Sequence, residues 1–367
     1  MRLQVTQENL NKALSVVARV ASARGTLPIL ANVLMKTVDN RLSISATNLD
    51  IAITQHIGAK VLEEGSITVP ARLMQDFINS LPSGVIELKL DEHKLHITAE
   101  KYQSVVNGVL ADDFPVMPAI NADNEQSRTW TINAAILKKG LQQVIMAASS
   151  DESRPVLTGV LVQSTEGQLY AAATDSYRLA EKKLGSNKDD VRLLIPATAI
   201  QDLLRILGDY DAAVQVTHDD QQILFQANDV DLVARLIEGK YPDYRKLIPA
   251  EFTVEARVRR ADLVNVTKVS SLFARESAGS VTINVSADKN ELSIRSVASQ
   301  LGENTASASG IIKGTGSITL NSRYLLDALH AFSGEEVAFC FNGKLEPTLL
   351  RDPDNDDYVH IIMPLKS

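Results

Sequence analysis

The stretch Thr129-Trp130-Thr131-Ile132, which leads into residues 134–147, decides the fold because the chain repeats its pattern. Its alternation of polar and apolar side chains is typical of a strand with one buried face. In the segment that follows, Leu137, Leu141 and Val144 recur at helical spacing and predict a helix with one apolar side. A strand that runs directly into an amphipathic helix is therefore the building block to look for elsewhere.

The same building block opens two other parts of the chain. Residues 3–6 lead into a predicted helix at 8–20, and residues 252–255 lead into one at 259–271. Because a long internal repeat fixes the number of domains, it takes precedence over local assignments. A second strand–helix pair follows in each part, with predicted helices at 71–80, 197–207 and 322–332.

Each part also contains a predicted hairpin between its two helices. The turns are built from residues that tolerate positive φ or bond their own backbone, namely Asp39-Asn40, Glu166-Gly167 and Asp288-Lys289-Asn290. Two helices and about eight strands per part predict an α+β fold, with antiparallel sheets and both helices on one face. The predicted domains are residues 1–121, 122–249 and 250–367. Equivalent domains stack as an arc, and an arc with two like ends tends to close by two-fold symmetry, which makes a ring plausible.

Composition places the chain among globular proteins of more than one domain. Its 367 residues exceed what one core supports, and 45% apolar with 22% charged residues excludes disordered and fibrous classes. The single cysteine, Cys340, excludes an internal disulfide and is predicted to be a buried strand thiol. Residues 1–7 lack the apolar core of a signal peptide, and no apolar run is long enough to span a bilayer. We therefore expect a cytoplasmic protein.

The positive charge of this acidic chain is concentrated on the predicted helices. They hold ten Lys or Arg residues against five acidic ones, in a chain whose formal charge is −8. Amphipathic helices commonly carry Lys and Arg on their wet faces, so one helix alone would mean little. Six helices together predict a diffuse basic surface that suits contact with a phosphate backbone without sequence preference.

Signatures of catalysis and of metal binding are missing from the sequence. His93 and His96 fall on opposite faces of a strand, and no phosphate loop, nucleophile elbow or paired-cysteine motif is present. We expect no metal and no cofactor. Asp175, in the stretch 171–179, is a conceivable general base, but no nucleophile or basic partner is identifiable beside it. We interpret that stretch as a docking site and Asp175 as a residue that stabilises a turn.

Five stretches resemble the bacterial DNA polymerase III β subunit, the replicative sliding clamp family, along the whole chain. They are residues 24–32, 69–72, 173–180, 241–245 and 363–365. The resemblance implies three copies of a clamp domain and a head-to-tail homodimeric ring around duplex DNA. It also implies no catalytic step, loading by a clamp loader, and partners that include the DNA polymerase III α subunit and repair proteins.

The resemblance further assigns candidate residues to three surfaces. The partner-peptide pocket, lined by apolar anchors and by Arg and hydroxyl groups, comprises Arg154, Leu157, Thr174, Ser176, Tyr177, Arg178, Leu179, Pro242, Leu247, Ile361, Met363, Pro364 and Leu365. The DNA-binding candidates are Arg24, Arg72, Lys12, Arg19, Lys138, Lys139, Lys268 and Arg323. The dimer-interface candidates are Ser104, Val106, Leu272 and Phe273. Ser104 stands where many clamps carry Phe, and Tyr177 stands where His is common.

Two other hypotheses stay open from the sequence. One is a repeat-built peptide-binding scaffold that has no DNA function. The other is a hydrolase that uses Asp175. For Leu157, Leu179 and Leu247, ordinary core packing is as good an interpretation as pocket lining.

Overall fold

The structure, a computed structural model, describes residues 1–21, 27–120, 127–300 and 302–365. Six α-helices and twenty-five strands lie in these ranges. All six predicted helices are present, and the three parts of the chain hold nine, eight and eight strands. The α+β prediction is thus confirmed.

The first part of the chain contains two helices and nine strands. They are β1 (Arg2–Thr6), α1 (Gln7–Val17), β2 (Asn32–Val38), β3 (Arg41–Thr47), β4 (Ile51–Gly58), β5 (Lys60–Glu63), β6 (Ser66–Pro70), α2 (Ala71–Ser80), β7 (Val85–Asp91), β8 (Lys94–Ala99) and β9 (Tyr102–Asn107).

The middle part repeats this order. Its elements are β10 (Arg128–Asn133), α3 (Ala134–Val144), β11 (Gly159–Thr165), β12 (Gln168–Thr174), β13 (Arg178–Ser186), β14 (Arg192–Pro196), α4 (Ala197–Leu207), β15 (Ala213–His218), β16 (Gln222–Ala227) and β17 (Val230–Arg235).

The last part repeats it once more. Its elements are β18 (Val254–Arg259), α5 (Arg260–Phe273), β19 (Ser280–Ser286), β20 (Glu291–Ala298), β21 (Gly302–Lys313), β22 (Gly316–Asn321), α6 (Ser322–Ala331), β23 (Glu336–Phe341), β24 (Thr348–Asp352) and β25 (Asn355–Ile362).

The helices form where the sequence places an apolar stripe beside a capping residue. Thr6 caps α1, whose buried side includes Leu10, Leu14 and Val17. The helix ends at Val17 instead of the predicted residue 20, because residues 18–20 form a turn in which the Val20 N–H donates to the Val17 carbonyl at 3.2 Å. Asn321 caps α6, where its side chain accepts from the N–H groups of residues 323 and 324.

The predicted hairpin turns are confirmed by their backbone. Asp39 and Asn40 have φ of 48° and 58°, and Glu166 and Asn290 have φ of 52° and 50°. These turns join β2 to β3, β11 to β12 and β19 to β20. The first two hairpins have two-residue loops and the third has a four-residue loop, so positions are compared by counting from the first strand residue after each turn.

The described chain divides into two compact units. Unit 1 comprises Met1–Ala135 and Gln201–Leu236, and unit 2 comprises Ile136–Ile200 and Ile237–Ser367. The middle part of the chain is therefore shared between them.

Each unit contains a sheet that crosses from one part of the chain to the next. In unit 1 the strand order is β10-β15-β16-β17-β4-β3-β2-β6, beside a five-stranded sheet β5-β1-β7-β8-β9. In unit 2 the order is β14-β11-β12-β13-β25-β24-β23-β18-β21-β20-β19-β22. All the pairings in these sheets are antiparallel. The sheets pass from one part of the chain to the next at the ladders β17–β4 and β13–β25.

Cys340 lies in β23 and is buried, as predicted. Burial, reinforced by the Glu255 charge, raises the pKa of its thiol to about 12. The thiol therefore stays protonated and inert at neutral pH. Within the described ranges, no helix combines the length and apolarity that a membrane crossing requires.

Candidate functional site

A cluster of apolar side chains in unit 2 unites many of the residues predicted for the peptide pocket. Leu157, Leu179 and Ile361 are buried in it, and Met363 packs against it. The β13–β25 ladder explains why, because it places Leu179 directly opposite Ile361. Three distant segments of the chain therefore meet at the end of this ladder. We call the surface formed by residues 174–179, 241–247 and 361–365 the docking groove.

Asp175 builds the turn that ends β12 and begins β13. Its Oδ1 accepts hydrogen bonds from the N–H groups of Tyr177 and Arg178, both at 2.9 Å. Thr174 Oγ1 donates to the Arg178 carbonyl at 2.7 Å and accepts from the Ser176 N–H at 3.1 Å. The prediction that Asp175 stabilises a turn is confirmed. Since this carboxylate is engaged by its own backbone, its geometry does not favour use as a general base.

Ser176 occupies the left-handed region at the tip of this turn. Its φ is 76°, a conformation that non-glycine residues seldom adopt. Its hydroxyl accepts from Arg154 Nη1 at 2.9 Å, so two predicted pocket residues are in contact. The turn pushes Tyr177 outward, where the side chain is 61% exposed. An exposed aromatic ring at the lip of an apolar cluster is available to a partner.

Arg178 anchors the turn to α6. Its Nε donates to Asp175 Oδ2 at 3.1 Å and its Nη1 to Asp327 Oδ2 at 2.6 Å. The guanidinium also stacks over the Tyr324 ring, 4.5 Å from the centroid. The side chains of neighbouring strand residues point to opposite faces, so those of Arg178 and Leu179 lie on opposite sides of the sheet. We therefore describe Arg178 as a support of the groove, while its contact with a peptide stays a prediction.

The C-terminal segment closes one side of the groove through its backbone. The Met363 N–H donates to the Tyr177 carbonyl at 2.8 Å, and the Leu365 N–H donates to the Thr319 carbonyl at 2.9 Å. Pro364 and Leu365 are half-buried. The terminus is thus fixed beside the turn, as the sequence predicts.

Pro242 and Leu247 lie on the loop that covers this face of the sheet, but outside the buried cluster. Pro242 is exposed, and Leu247 is 51% exposed. The loop is anchored instead by Tyr241 and Tyr244, which are buried in the cluster and pack edge to face with centroids 6.4 Å apart. Burial raises the pKa of both tyrosines, and the Glu181 charge adds to this effect at Tyr244.

Several members of the cluster were not predicted from the sequence. They are Leu161, Ala172, Leu194, Tyr241, Tyr244 and Leu349. The strand alternation carries a usable signal, because Leu161, Ala172 and Leu179 fall on one face once the hairpin register is known. The two tyrosines belong to the quoted stretch at 241–245, whose aromatic residues flank the predicted turn.

The opposite face of the β13–β25 ladder is closed by helices. Tyr358 and His360 are buried there, and the Tyr358 hydroxyl donates to the Gln143 carbonyl of α3 at 3.0 Å. His360 Nδ1 lies 2.8 Å from that hydroxyl. Burial, together with the Arg178 charge, lowers the pKa of His360 to about 3. The imidazole is therefore neutral at physiological pH.

The DNA-binding candidates of unit 1 lie on or beside its helices. Lys12 is on α1 and Arg72 is on α2. Both are exposed, and neither has a carboxylate within ion-pair distance in the described part of the chain. Arg19 lies in the turn after α1, where its Nε donates to the Ser15 carbonyl at 3.1 Å. Arg24 lies outside the described residues.

The candidates of unit 2 also lie on helices. Lys138 and Lys139 are on α3, Lys268 is on α5 and Arg323 is on α6. Lys139, Lys268 and Arg323 are exposed, whereas Lys138 is half-buried. By contrast, Arg205 of α4, which was not a candidate, is paired with Asp202 at 2.9 Å. The exposed candidates thus retain their charge for a ligand.

The dimer-interface candidates lie on an edge strand and at the end of a helix. Ser104 and Val106 share one face of β9, which within the described residues pairs only with β8. Leu272 and Phe273 end α5, and Leu272 is 52% exposed. Ser270 of α5 donates to Asn304 Oδ1 of β21 at 3.0 Å, which places the end of this helix over β21. Within the ranges that the structure describes, residues 302–309 of β21 pair with β20 on one side only.

No cluster of three or more metal-ligating side chains occurs among the described residues. The site is therefore described by an apolar groove, basic helices and strand edges. This arrangement can hold a peptide, attract phosphates and extend a sheet.

Comparison with known proteins gives one consistent result. The DNA polymerase III beta subunit family matches the chain with its N-terminal domain at residues 1–118, its central domain at 131–243 and its C-terminal domain at 245–366. The beta sliding clamp of a Synechocystis species is 31% identical over 393 residues, covering all of this chain and 99% of that protein. The beta sliding clamp of Bacillus subtilis is 29% identical over the full length of both chains.

Solved structures agree with the sequence matches. The sliding clamp from Bacillus subtilis has a TM-score of 0.94 at 28% identity and covers all of this chain and 99% of its own. A sliding clamp from Pseudomonas aeruginosa, solved bound to griselimycin, has a TM-score of 0.94 at 26% identity over all of both chains. The fold consists of three clamp domains of antiparallel sheets and helices, and the chain belongs to the DNA polymerase III beta subunit family, the beta sliding clamps.

Proposed function

We propose that two copies of this chain form a ring that encircles duplex DNA and tethers the replicative polymerase to it. The observation that carries the proposal is a joint that occurs twice within the chain. The last strand of the middle repeat, β17, pairs with β4 of the first, and the last strand of the third, β25, pairs with β13 of the middle one. By the same rule β9 should pair with β21, but among the described residues of one chain the two strands are not paired with each other. A second copy of the chain would supply a partner for each strand.

The internal joints also predict the register of the joint between two chains. Ala99 lies opposite Tyr102 where β8 turns into β9, just as Ala227 lies opposite Val230, so Ser104 is equivalent to Leu232. Counting from the equivalent hairpins, Ile53 and Asn304 are equivalent too, since they lie opposite Ala46 and Ser296.

Leu232 lies opposite Ile53 in the internal joint. We therefore place Ser104 opposite the partner's Asn304. This register brings Ser104 and Val106 of β9 close to the end of α5, where Leu272 and Phe273 are. All four interface candidates then belong to one contact. Its centre is more polar than the Leu232–Ile53 pair, which favours a dimer that opens more readily than the internal joints.

The DNA contact is proposed for the basic helices. In unit 1 the proposed phosphate contacts are Lys12, Arg19 and Arg72, with Arg24 assigned by resemblance. In unit 2 they are Lys138, Lys139, Lys268 and Arg323. They carry no base-reading pattern, so they would contact phosphates and leave the ring free to move along DNA. We propose no catalytic step.

The docking groove is proposed to bind short linear motifs of partner proteins. Its base is formed by the buried Leu157 and Leu179, the partly buried Met363 packs against them, and Tyr177 and Leu247 stand exposed at its edges for apolar anchors. Such motifs gain affinity by filling apolar pockets while polar groups fix their orientation. The partners that we propose are the DNA polymerase III α subunit, the clamp loader and repair proteins. The single buried cysteine supports a cytoplasmic location, and 1–121, 122–249 and 250–367 remain our proposed domain limits.

The ring is tested on a nicked circular DNA with a cognate loader. The chain should remain on the circle after free protein is removed, and it should leave when a restriction enzyme linearises the circle. Retention on linear DNA with free ends contradicts a topological link.

The basic surface is tested separately with charge-reversal variants. Lys12→Glu together with Arg72→Glu should reduce loading and lower the salt dependence of DNA binding by about one unit per lost phosphate contact. Lys60→Glu is the matched control, because Lys60 is an exposed cation of unit 1 that lies on strand β5 instead of a helix. Equal loading by both variants would favour a peptide-binding scaffold that has no DNA function.

A further inference from the structure

A cavity beside the docking groove has a strongly basic lining. It measures about 460 Å³ and is lined by Gln163, Arg192 and residues 240–246. The lining includes four cationic side chains and one acidic one, in a chain whose formal charge is −8. We call this cavity the basic notch. A positive cavity on an acidic protein concentrates anions.

The floor of the basic notch is a connected chain of hydrogen bonds. Arg192 Nη1 donates to Gln163 Oε1 at 3.0 Å, and Gln163 Nε2 donates to the Tyr244 hydroxyl at 3.2 Å. The Tyr244 hydroxyl in turn donates to Glu181, which also accepts from Arg245 Nε at 2.9 Å. Arg245 is further held over the Tyr170 ring, 4.2 Å from the centroid. The floor is thus built before any ligand arrives.

Two cations at the rim are not neutralised. Arg245 is paired with Glu181, and Lys246 is paired with Asp243 at 2.7 Å. Arg192 and Lys240 are exposed, and neither has a carboxylate within ion-pair distance in the part of the chain that the structure describes. Arg192 uses only one of its guanidinium nitrogens on Gln163. Its remaining N–H groups and the Lys240 ammonium are available to an anion.

The position of the notch favours a protein as the source of that anion. Gln163 and Glu181 share their strand face with Leu161 and Leu179, which is the face that the docking groove uses. Tyr358, whose hydroxyl contacts α3, lies on the opposite face. Helix α3, which carries the DNA-binding candidates Lys138 and Lys139, therefore lies on the other side of the sheet. Residues 241–246 line the notch and also form part of the docking groove, so the two surfaces share this loop.

We propose that the basic notch binds acidic side chains that flank the motif held in the docking groove. This inference rests on the proposed peptide-binding function. An extended peptide rises about 3.3 Å per residue, so the acidic residues should lie within the first few positions beyond the apolar anchors. Arg192 and Lys240 would bind the carboxylates and so discriminate between partners.

The test begins with overlapping peptides of the cognate DNA polymerase III α subunit. The tightest binder is resynthesised with two Glu or two Gln residues at either end, and affinities are measured by fluorescence anisotropy. With two exposed pairs of typical strength, Glu should improve affinity about three- to tenfold over Gln at one end and low salt. The improvement should shrink at about 0.5 M salt, where screening is stronger.

Variants show whether the notch causes the improvement. Arg192→Ala and Lys240→Ala should each reduce the preference for Glu and leave affinity for the Gln peptide unchanged. Lys289→Ala is the matched control, since Lys289 is an exposed cation of unit 2 in the β19–β20 turn.

Equal affinities of the Glu and Gln peptides would overturn the proposal for the basic notch but would not contradict the proposed docking groove. A preference for Glu that survives both variants also overturns it. Competition by duplex DNA that is lost in both variants would assign the notch to phosphates instead. If none of the α-subunit peptides binds, the groove fails and the notch proposal fails with it.

Discussion

The register proposed for the joint between two chains can be tested by a single disulfide. Residues directly opposite each other in an antiparallel pair have Cα atoms about 4.5–5.5 Å apart, within the roughly 4.4–6.8 Å that a disulfide requires. Ser104→Cys combined with Asn304→Cys should therefore form a covalent dimer on mild oxidation. Cys340 should not interfere, because it is buried and its pKa is raised to about 12.

Two cysteine pairs with a shifted register are controls against which the cross-linking of the first pair is compared. Combining Ser104→Cys with Thr305→Cys places the two side chains on opposite faces of the sheet. Combining it with Ala306→Cys separates same-face positions by about 7–8 Å, beyond disulfide reach. We expect near-complete cross-linking for the first pair and little for the other two.

The assay is a non-reducing gel followed by loading onto nicked circular DNA. The cross-linked species should have twice the mass of one chain, and with both joints closed it should fail to load until a reductant is added. If Ser104→Cys cross-links preferentially with Thr305→Cys or with Ala306→Cys, the equivalence between Leu232 and Ser104 is refuted. Efficient loading of the doubly cross-linked species refutes the ring.

Three further predictions concern the docking groove and its support. Deleting residues 363–367 should abolish peptide binding measured by anisotropy but leave the native mass of the dimer unchanged, because β25 ends at Ile362; unchanged affinity contradicts our placement of the groove. Asp327→Asn should weaken the ion pair that anchors the largely buried Arg178 and lower the free energy of unfolding by about 1–3 kcal/mol, with reduced peptide affinity. An unchanged urea midpoint would instead show that Asp175 alone holds the arginine. His360 has a pKa of about 3 in the folded chain, so the unfolded state binds more protons between that value and about 6.5. The free energy of unfolding should therefore fall on acidification through this window by up to about 1.4 kcal/mol per pH unit. His360→Gln should remove this part of the slope, and an identical slope would contradict the buried neutral imidazole.

The repeat was predictable from the sequence because each copy carries its own local signals. Helical spacing, capping residues such as Asn321 and turn residues such as Asn40 act within a few positions, so they specify the elements without knowledge of the fold. Helix ends were less predictable. Ala18 to Val20 continue the helical pattern, yet a tighter turn replaces the last part of the predicted helix.

The pairing between repeats was not predictable from local pattern. Nothing in residues 230–235 specifies that Leu232 lies opposite Ile53, since that contact joins positions far apart in the sequence. In the docking groove, too, local features were predictable from the sequence and contacts between distant segments were not. Asp175 could be assigned to a turn from its neighbours, whereas the link from Arg178 to Asp327 depends on where α6 packs. The basic notch depends in the same way on Tyr244 reaching Glu181.

The sharing of the middle repeat between the two units has a consequence for dissecting the protein. The central family domain, residues 131–243, contributes β17 to one long sheet and β13 to another. Expressed alone, it would lose the neighbours of both strands and present two bare edges, which invite aggregation. The first and third repeats would each lose only one such neighbour. The boundaries of homology are therefore poor places to cut this chain, and deletion studies should follow the sheets instead.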